Sequence, residues 1–233
     1  MKFSIGIVPA TVRCVRVGAA ALVFSTTALA QFEGVIESRN LTTDDEGKPQ
    51  KFIITMWIKN DRMRVETGPI GTTPATTMIY RADRKMVWML NEDEHSFFEI
   101  LQNGGGALQD TGTRSSQPDE SLVKTGKKKK ILGYPCDLFI MKSGDQVTEI
   151  WGTRALPALM ATTTSVLGGE SEEDVPSWNN ELRRLGMYTL SARTTVSGKL
   201  VEAQDISRIE QRTVDEEKFE LPEGYKKQVI GGN

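Results

Sequence analysis

Nucleophilic catalysis needs a nucleophile, a base within hydrogen-bond reach and a group that orients the base. This chain offers a single histidine for the second role. His95 stands in Asp93-Glu94-His95-Ser96, a polar run that reads as the exposed start of a strand, so a solvated surface imidazole is expected. Cys136 follows Gly133-Tyr134-Pro135 and opens a strand. It is expected to be a buried small hydrophobe, with a redox or intermolecular disulfide role as the alternative. One His and one such Cys do not supply the nitrogen and sulfur set of a usual zinc site. The carboxylate clusters Asp44-Asp45-Glu46 and Glu170 to Asp174 lack the spacing of a calcium loop and read as solvated turns. No GxSxG, HExxH or phosphate-cradling glycine pattern occurs. The expectation is a protein without catalytic residues, cofactor or metal.

The N-terminus explains the compartment in which such a protein would work. Lys2, Arg13 and Arg16 precede the apolar centre Val17 to Phe24, and Ala28-Leu-Ala30 before Gln31 is the small-x-small pattern of a signal peptidase site. The apolar centre is too short to span a bilayer. Residues 1–30 are therefore expected to be a cleaved signal peptide and residues 31–233 a single exported domain. ATP and nicotinamide cofactors are not expected there. No later apolar run has membrane-spanning length. All three charged leader residues are basic, so the mature chain is more acidic than the formal net charge of −2 of the whole. A broad basic face for nucleic acid is not expected. Cys14 leaves with the leader, so no internal disulfide can form and the core must hold the domain.

Elements that would position a site follow from periodicity. Phe32 to Arg39, Lys51 to Lys59, Arg62 to Thr67, Thr77 to Ala82, Lys85 to Asn91 and Glu94 to Leu101 read as strands joined by tight turns such as Asn60-Asp61. Such short connections force antiparallel pairing. Gln102 to Glu120, rich in Gly, Ser, Thr, Gln and Asp, reads as a mobile surface loop. Strands resume at Lys128 to Leu132, Cys136 to Lys142 and Gln146 to Thr153. Ala155 to Leu167 carries helical spacing with Pro157 in its first turn. A second helix follows, with Trp178, Leu182 and Leu185 at i, i+4 and i+7 and Gly186 at its C-terminal cap. Met187 to Val196 and Lys199 to Arg212 close as a hairpin around Ser197-Gly198, and Phe219-Glu-Leu-Pro-Glu-Gly-Tyr225 ends the domain. The expected fold is α+β: one antiparallel sheet of about eleven strands, curled into a half-barrel by its twist, with a small helical layer over the concave face.

The central strands point apolar residues both ways. Met86, Trp88 and Leu90 oppose Val87 and Met89, while Ile53 and Trp57 oppose the Phe52 row. Helices on one side with self-packing of the curled sheet on the other explain this, and so does a lipophilic cavity. The candidate lining is Ile54, Met56, Ile58, Met86, Trp88, Phe98, Ile100, Leu138, Ile140 and Trp151, with Leu159 and Trp178 on the helices. Lys127-Lys-Lys-Lys130 leads into a strand; it reads as a solvated edge that discourages sheet-to-sheet aggregation, or as a contact for anionic headgroups or an acidic partner.

Several phrases recur in order: Met56-Trp-Ile-Lys-Asn-Asp-Arg-Met-Arg-Val-Glu66, Met78-Ile-Tyr-Arg-Ala-Asp-Arg-Lys-Met-Val-Trp88, Ser96-Phe-Phe-Glu-Ile100, Lys128-Lys-Lys-Ile-Leu-Gly-Tyr-Pro-Cys136, Thr148-Glu-Ile-Trp-Gly-Thr153 and the closing Phe219 to Tyr225. Over roughly Phe32 to Lys226 the chain resembles a family of secreted bacterial domains of unknown function, domain 4412. Its layout also resembles outer-membrane lipoprotein carriers. The resemblance implies a periplasmic, lipoprotein-carrier-like half-barrel enclosing an acyl-chain cavity; it brings no catalytic residues. The expected function is non-enzymatic binding of a lipid or lipoprotein acyl chain in the bacterial cell envelope. An interaction or sensing module for another envelope protein is the alternative.

Overall fold

Tight turns set the register of the whole sheet. Asn60, in the left-handed region at φ 55°, lets a two-residue turn close the Lys59–Arg62 pair, as Asn tolerates that conformation. Ser197-Gly198, with φ 49° and 78°, closes the Val196–Lys199 pair in the same economical way. The computed structural model describes residues 31–101, 121–160 and 177–229. In chain order the strands are β1 (Gly34–Thr43), β2 (Pro49–Lys59), β3 (Arg62–Thr67), β4 (Thr76–Arg81), β5 (Met86–Asn91), β6 (Ser96–Leu101), β7 (Ser121–Ile131), β8 (Tyr134–Ser143), β9 (Gln146–Thr153), β10 (Tyr188–Val196), β11 (Lys199–Gln211) and β12 (Lys226–Gln228). They form one open, curled sheet in the order β12-β6-β5-β4-β3-β2-β1-β11-β10-β9-β8-β7. At its centre β1 crosses β11 so closely that a Cβ on Gly34 would stand 2.1 Å from the Glu210 carbonyl oxygen.

Three expectations need correction. Among the described residues the sheet has twelve strands rather than about eleven, and it is mixed rather than antiparallel: β12 pairs parallel with β6, Lys226 opposite Ser96. A three-residue strand carries no periodicity to read. β7 begins at Ser121, well before Lys128. Its register shifts between Lys124 and Lys128 around Gly126 at φ 79°, a bulge that breaks the alternation by which a strand is recognised. The expected loop at 102–120 and most of the first helix lie outside the described residues. Of that helix, residues 157–160 are helical. Helix α1 (Ser177–Arg184) is present and ends in a Schellman motif: the Gly186 amide donates to Arg183 at 2.9 Å and the Met187 amide to Leu182 at 3.0 Å.

Among the described residues, most of the buried hydrophobic side chains fall into three clusters. The first joins Ile36, Ile58, Met63, Tyr80, Val87, Cys136, Leu190 and Ile206 to Leu159 of the helical turn. The third packs Leu182 of α1, with Trp178 beside it, on Phe139, Ile150 and Met187. The second is closed by the C-terminal segment: Val214 and Phe219 lie on Ile79, Trp88, Leu90 and Phe97.

Arg81, only 3% exposed, clamps that segment. It donates to both carboxylate oxygens of Asp83 at 2.8 and 2.7 Å, to the Phe219 carbonyl at 3.0 Å and to Glu220 at 2.8 Å. A guanidinium so buried is tolerable only when its donors are matched. Hydrogen bonding to Arg81 holds the Asp83 carboxyl below its ordinary range.

Two outcomes follow. Truncating the fully buried Phe219 to Ala costs about 3–5 kcal/mol in urea unfolding at neutral pH. A carboxyl whose folded pKa is depressed stabilises above its unfolded value and loses that stabilisation as pH falls toward the folded one. Stability therefore declines below about pH 4, and Asp83→Asn flattens that acid limb while lowering stability at pH 7.

Candidate functional site

The register places one apolar row across six strands. Ile36 lies opposite Met56, Met56 opposite Val65, Val65 opposite Met78, Met78 opposite Met89 and Met89 opposite Phe98. Ile36 is buried and the other five are half-buried. On one side runs the parallel row Ile58, Met63, Tyr80 and Val87, fully packed into the first cluster and ending at Ile100, 41% exposed. On the other side the row Ser38, Ile54, Thr67 and Thr76 turns polar. The face thus grades from closed core through half-open apolar surface to a polar rim. The Tyr80 hydroxyl donates to the Met78 sulfur at 3.5 Å, which satisfies the phenol without adding polarity to the row.

The expected lining residues do not all meet. Ile54, Met56, Ile58, Phe98 and Ile100 share this face by register, and Leu159 packs on it. Leu138 pairs with Trp151, and Trp151 joins the first cluster beside Cys136; Ile140 lies on the same face of β8 as Leu138. Trp178 sits apart, against Phe139 and Ile150. Met86 and Trp88 point to the opposite face, in the cluster sealed by Phe219. The Trp88 indole donates to Glu99 at 3.2 Å, with the guanidiniums of Arg81 and Arg84 5.7 and 5.8 Å from its ring. Alternation alone separates 86 and 88 from 87 and 89 but does not say which set shares a face with Met56; the pairing does. Val65, Met78 and Met89 belong to the row and were missed for the same reason. The turn lengths between β2 and β6 were the signal that finds them.

The remaining chemistry-bearing residues are spoken for. Cys136 is buried, its thiol pushed up by burial and directed at the Tyr134 carbonyl, 3.4 Å away. His95 occupies an exposed turn before β6, its ring 5.7 Å from that of Tyr225. Asp44 accepts from the Lys48 and Glu46 amides at 2.8 and 3.2 Å and from Gln50 at 2.9 Å, so its carboxylate organises a turn; the Glu170 to Asp174 run lies outside the described residues. A shallow depression of about 450 Å³ opens on the face opposite the apolar row, lined among others by Thr55, Arg64, Glu66, Thr77 and Glu92. Glu66 is held by Arg64 at 2.7 Å and Glu92 accepts from Thr77 at 3.0 Å. Among the described residues no group of three His, Cys, Asp or Glu is placed to hold a metal, and no helix is long and apolar enough to cross a membrane.

Residues 32–225 match the model of a family described as Domain of unknown function (DUF4412). The chain belongs to that family. No curated protein matches it. Among solved structures it is similar to an uncharacterized conserved protein from Thermus thermophilus, at 9% identity over 84% of this chain and 90% of that one, with a TM-score of 0.46. PNGF-II is 14% identical over 84% of this chain, with a TM-score of 0.39, and the match spans only 31% of PNGF-II. A putative outer membrane lipoprotein-sorting protein domain from Vibrio parahaemolyticus is 10% identical over 81% of this chain and 89% of that one, with a TM-score of 0.32.

Burial makes Cys136 an internal reporter. A thiol reagent should label the native DUF4412 domain negligibly over the time in which it labels the urea-unfolded chain completely, as an inert core thiol requires. Rapid labelling of the native protein would remove Cys136 from the core.

Proposed function

We propose that the protein is a non-enzymatic binder of a lipophilic ligand, a lipid or lipoprotein acyl chain, working in the bacterial envelope after export by its leader. The ligand lies along the apolar row on the concave side of the sheet, with the helical segment anchored by Leu159 as one wall. The supporting observation is the row itself: Met56, Val65, Met78, Met89 and Phe98 are adjacent, in register and half-buried. Apolar surface left half-open across five strands retains free energy that a ligand can recover, about 0.8 kcal/mol per methylene removed from water. Three of the five side chains are thioethers, whose unbranched, flexible stems adapt to acyl chains of different shape. The polar row from Ser38 to Thr76 suits the mouth, where a headgroup stays wet.

Native mass spectrometry of protein purified from the envelope should show co-purified lipid. Met78→Gln and Met89→Gln preserve side-chain length while adding an amide that a lipid tail cannot pair. Each should weaken binding of a fluorescent fatty acid about fivefold or more, at a cost of about 1–3 kcal/mol for the unmatched amide. A wild-type protein that carries no lipid and binds no fatty acid would overturn this reading and leave the interaction or sensing module in its place.

A further inference from the structure

The β7–β8 hairpin combines three features that its role in the sheet does not require. Leu132 and Gly133 form its two-residue tip, with φ 50° and 85°, between the paired residues Ile131 and Tyr134. Such a turn favours Asn or Gly at its first position, since a side chain in the left-handed region crowds its own backbone. Leu is an unfavourable choice there, and this one is also 45% exposed to water. Observed strain of this kind points from structure to function.

Charge is the second feature. Residues 121–143 carry six lysines against the single acid Asp137, in a chain of formal net charge −2. Lys127, Lys128, Lys129 and Lys130 are all exposed. Of these six lysines, only Lys124 and Lys128 approach a carboxylate among the described residues, that of Asp137, at 2.7 and 4.0 Å. The third is aromatic. Lys129 lies over the half-buried Trp151 ring, 4.2 Å from its centroid, and Tyr134 is half-buried beside the tip.

Edge protection alone does not account for this. The opposite edge of the sheet, β12, is a three-residue strand carrying Lys226 and Lys227, and a bulge already interrupts β7; short strands, a bulge and a lysine or two suffice to blunt an edge. Four consecutive lysines running up to a strained, wet leucine make a wedge with a cationic collar and aromatic flank, the arrangement that suits a headgroup layer.

We propose that this hairpin tip docks on an anionic bilayer surface, Leu132 entering the headgroup layer while Lys127 to Lys130 lie against lipid phosphates. The contact is independent of whatever occupies the apolar row. Flotation of the purified protein with vesicles tests it, comparing phosphatidylcholine alone with an equimolar mixture of phosphatidylcholine and phosphatidylglycerol. Binding to the mixed vesicles should be at least about tenfold stronger and should fall as salt is raised. Replacing Lys127 to Lys130 together by Gln should reduce it to the phosphatidylcholine level. Leu132→Asn puts the preferred residue into the turn, so its Tm should hold or rise while vesicle binding drops severalfold; any co-purified lipid should persist, which separates this contact from the apolar row. Equal binding to both vesicles, wild-type binding by either variant, or capture by polyglutamate in place of vesicles would overturn the proposal, the last by assigning the lysines to an acidic protein partner.

Discussion

The apolar row across this sheet depends on the register of the β2 to β6 meander. Side chains alternate with period two, so a slip of one residue in any hairpin would carry its apolar set to the other face. Asn60 fixes one pair by accepting the left-handed region, and the turn of Ala82–Arg84, capped by Lys85 at φ 53°, fixes another. With the strands paired in this register Met56, Val65, Met78, Met89 and Phe98 fall into line. The row is a consequence of turn geometry before it is a consequence of packing.

That constraint also shows how far the sequence could be read. Strand positions were legible because apolar residues alternate in Phe52, Ile54, Met56 and Ile58 and because the turns between strands are short. β3 and β9 have the bounds that their periodicity implies. The order of six strands, three strands and two strands survives in full. What could not be read was which alternate set in one strand shares a face with which set in the next. Grouping Met86 and Trp88 with Met56 treated apolar character as sufficient; cross-strand pairing assigns Val87 and Met89 instead. The other loss came from Phe219 to Tyr225. Its apolar residues are spaced irregularly among Glu, Pro and Gly, so it resembles a tail. Its burial arises from contacts with β4 to β6, more than a hundred residues earlier in sequence, which no local window contains.

The C-terminal segment gives the two faces different fates. Phe219 fills one face of β4 to β6, Arg81 locks it by its carbonyl, and β12 then pairs with β6, so the chain covers its own apolar surface and one sheet edge in a single pass. Arg62, whose guanidinium pairs with Glu216 and stands 5.5 Å from the Phe219 ring, and Lys59, 2.9 Å from Glu216, are half-buried cations that meet an exposed carboxylate at the margin of this face. Trp57 on this face is overlaid by Lys218 at 4.9 Å. Among the described residues the apolar row on the other face has no such strap.

This asymmetry bears on why the row is rich in methionine rather than leucine or isoleucine. A face destined for a fixed internal partner gains from branched side chains with few rotamers, and the strap-covered face has them: Ile79, Leu90 and Val214 pack against rings of Trp88, Phe97 and Phe219. Methionine specifies a packing partner poorly because its three torsions allow many shapes of similar energy. Placed at Met56, Met78 and Met89, it leaves this row less sharply specified than the strap-covered face. The neighbouring row of Ile58, Met63, Tyr80 and Val87 is buried in the first cluster, so burial rather than residue type separates the two rows.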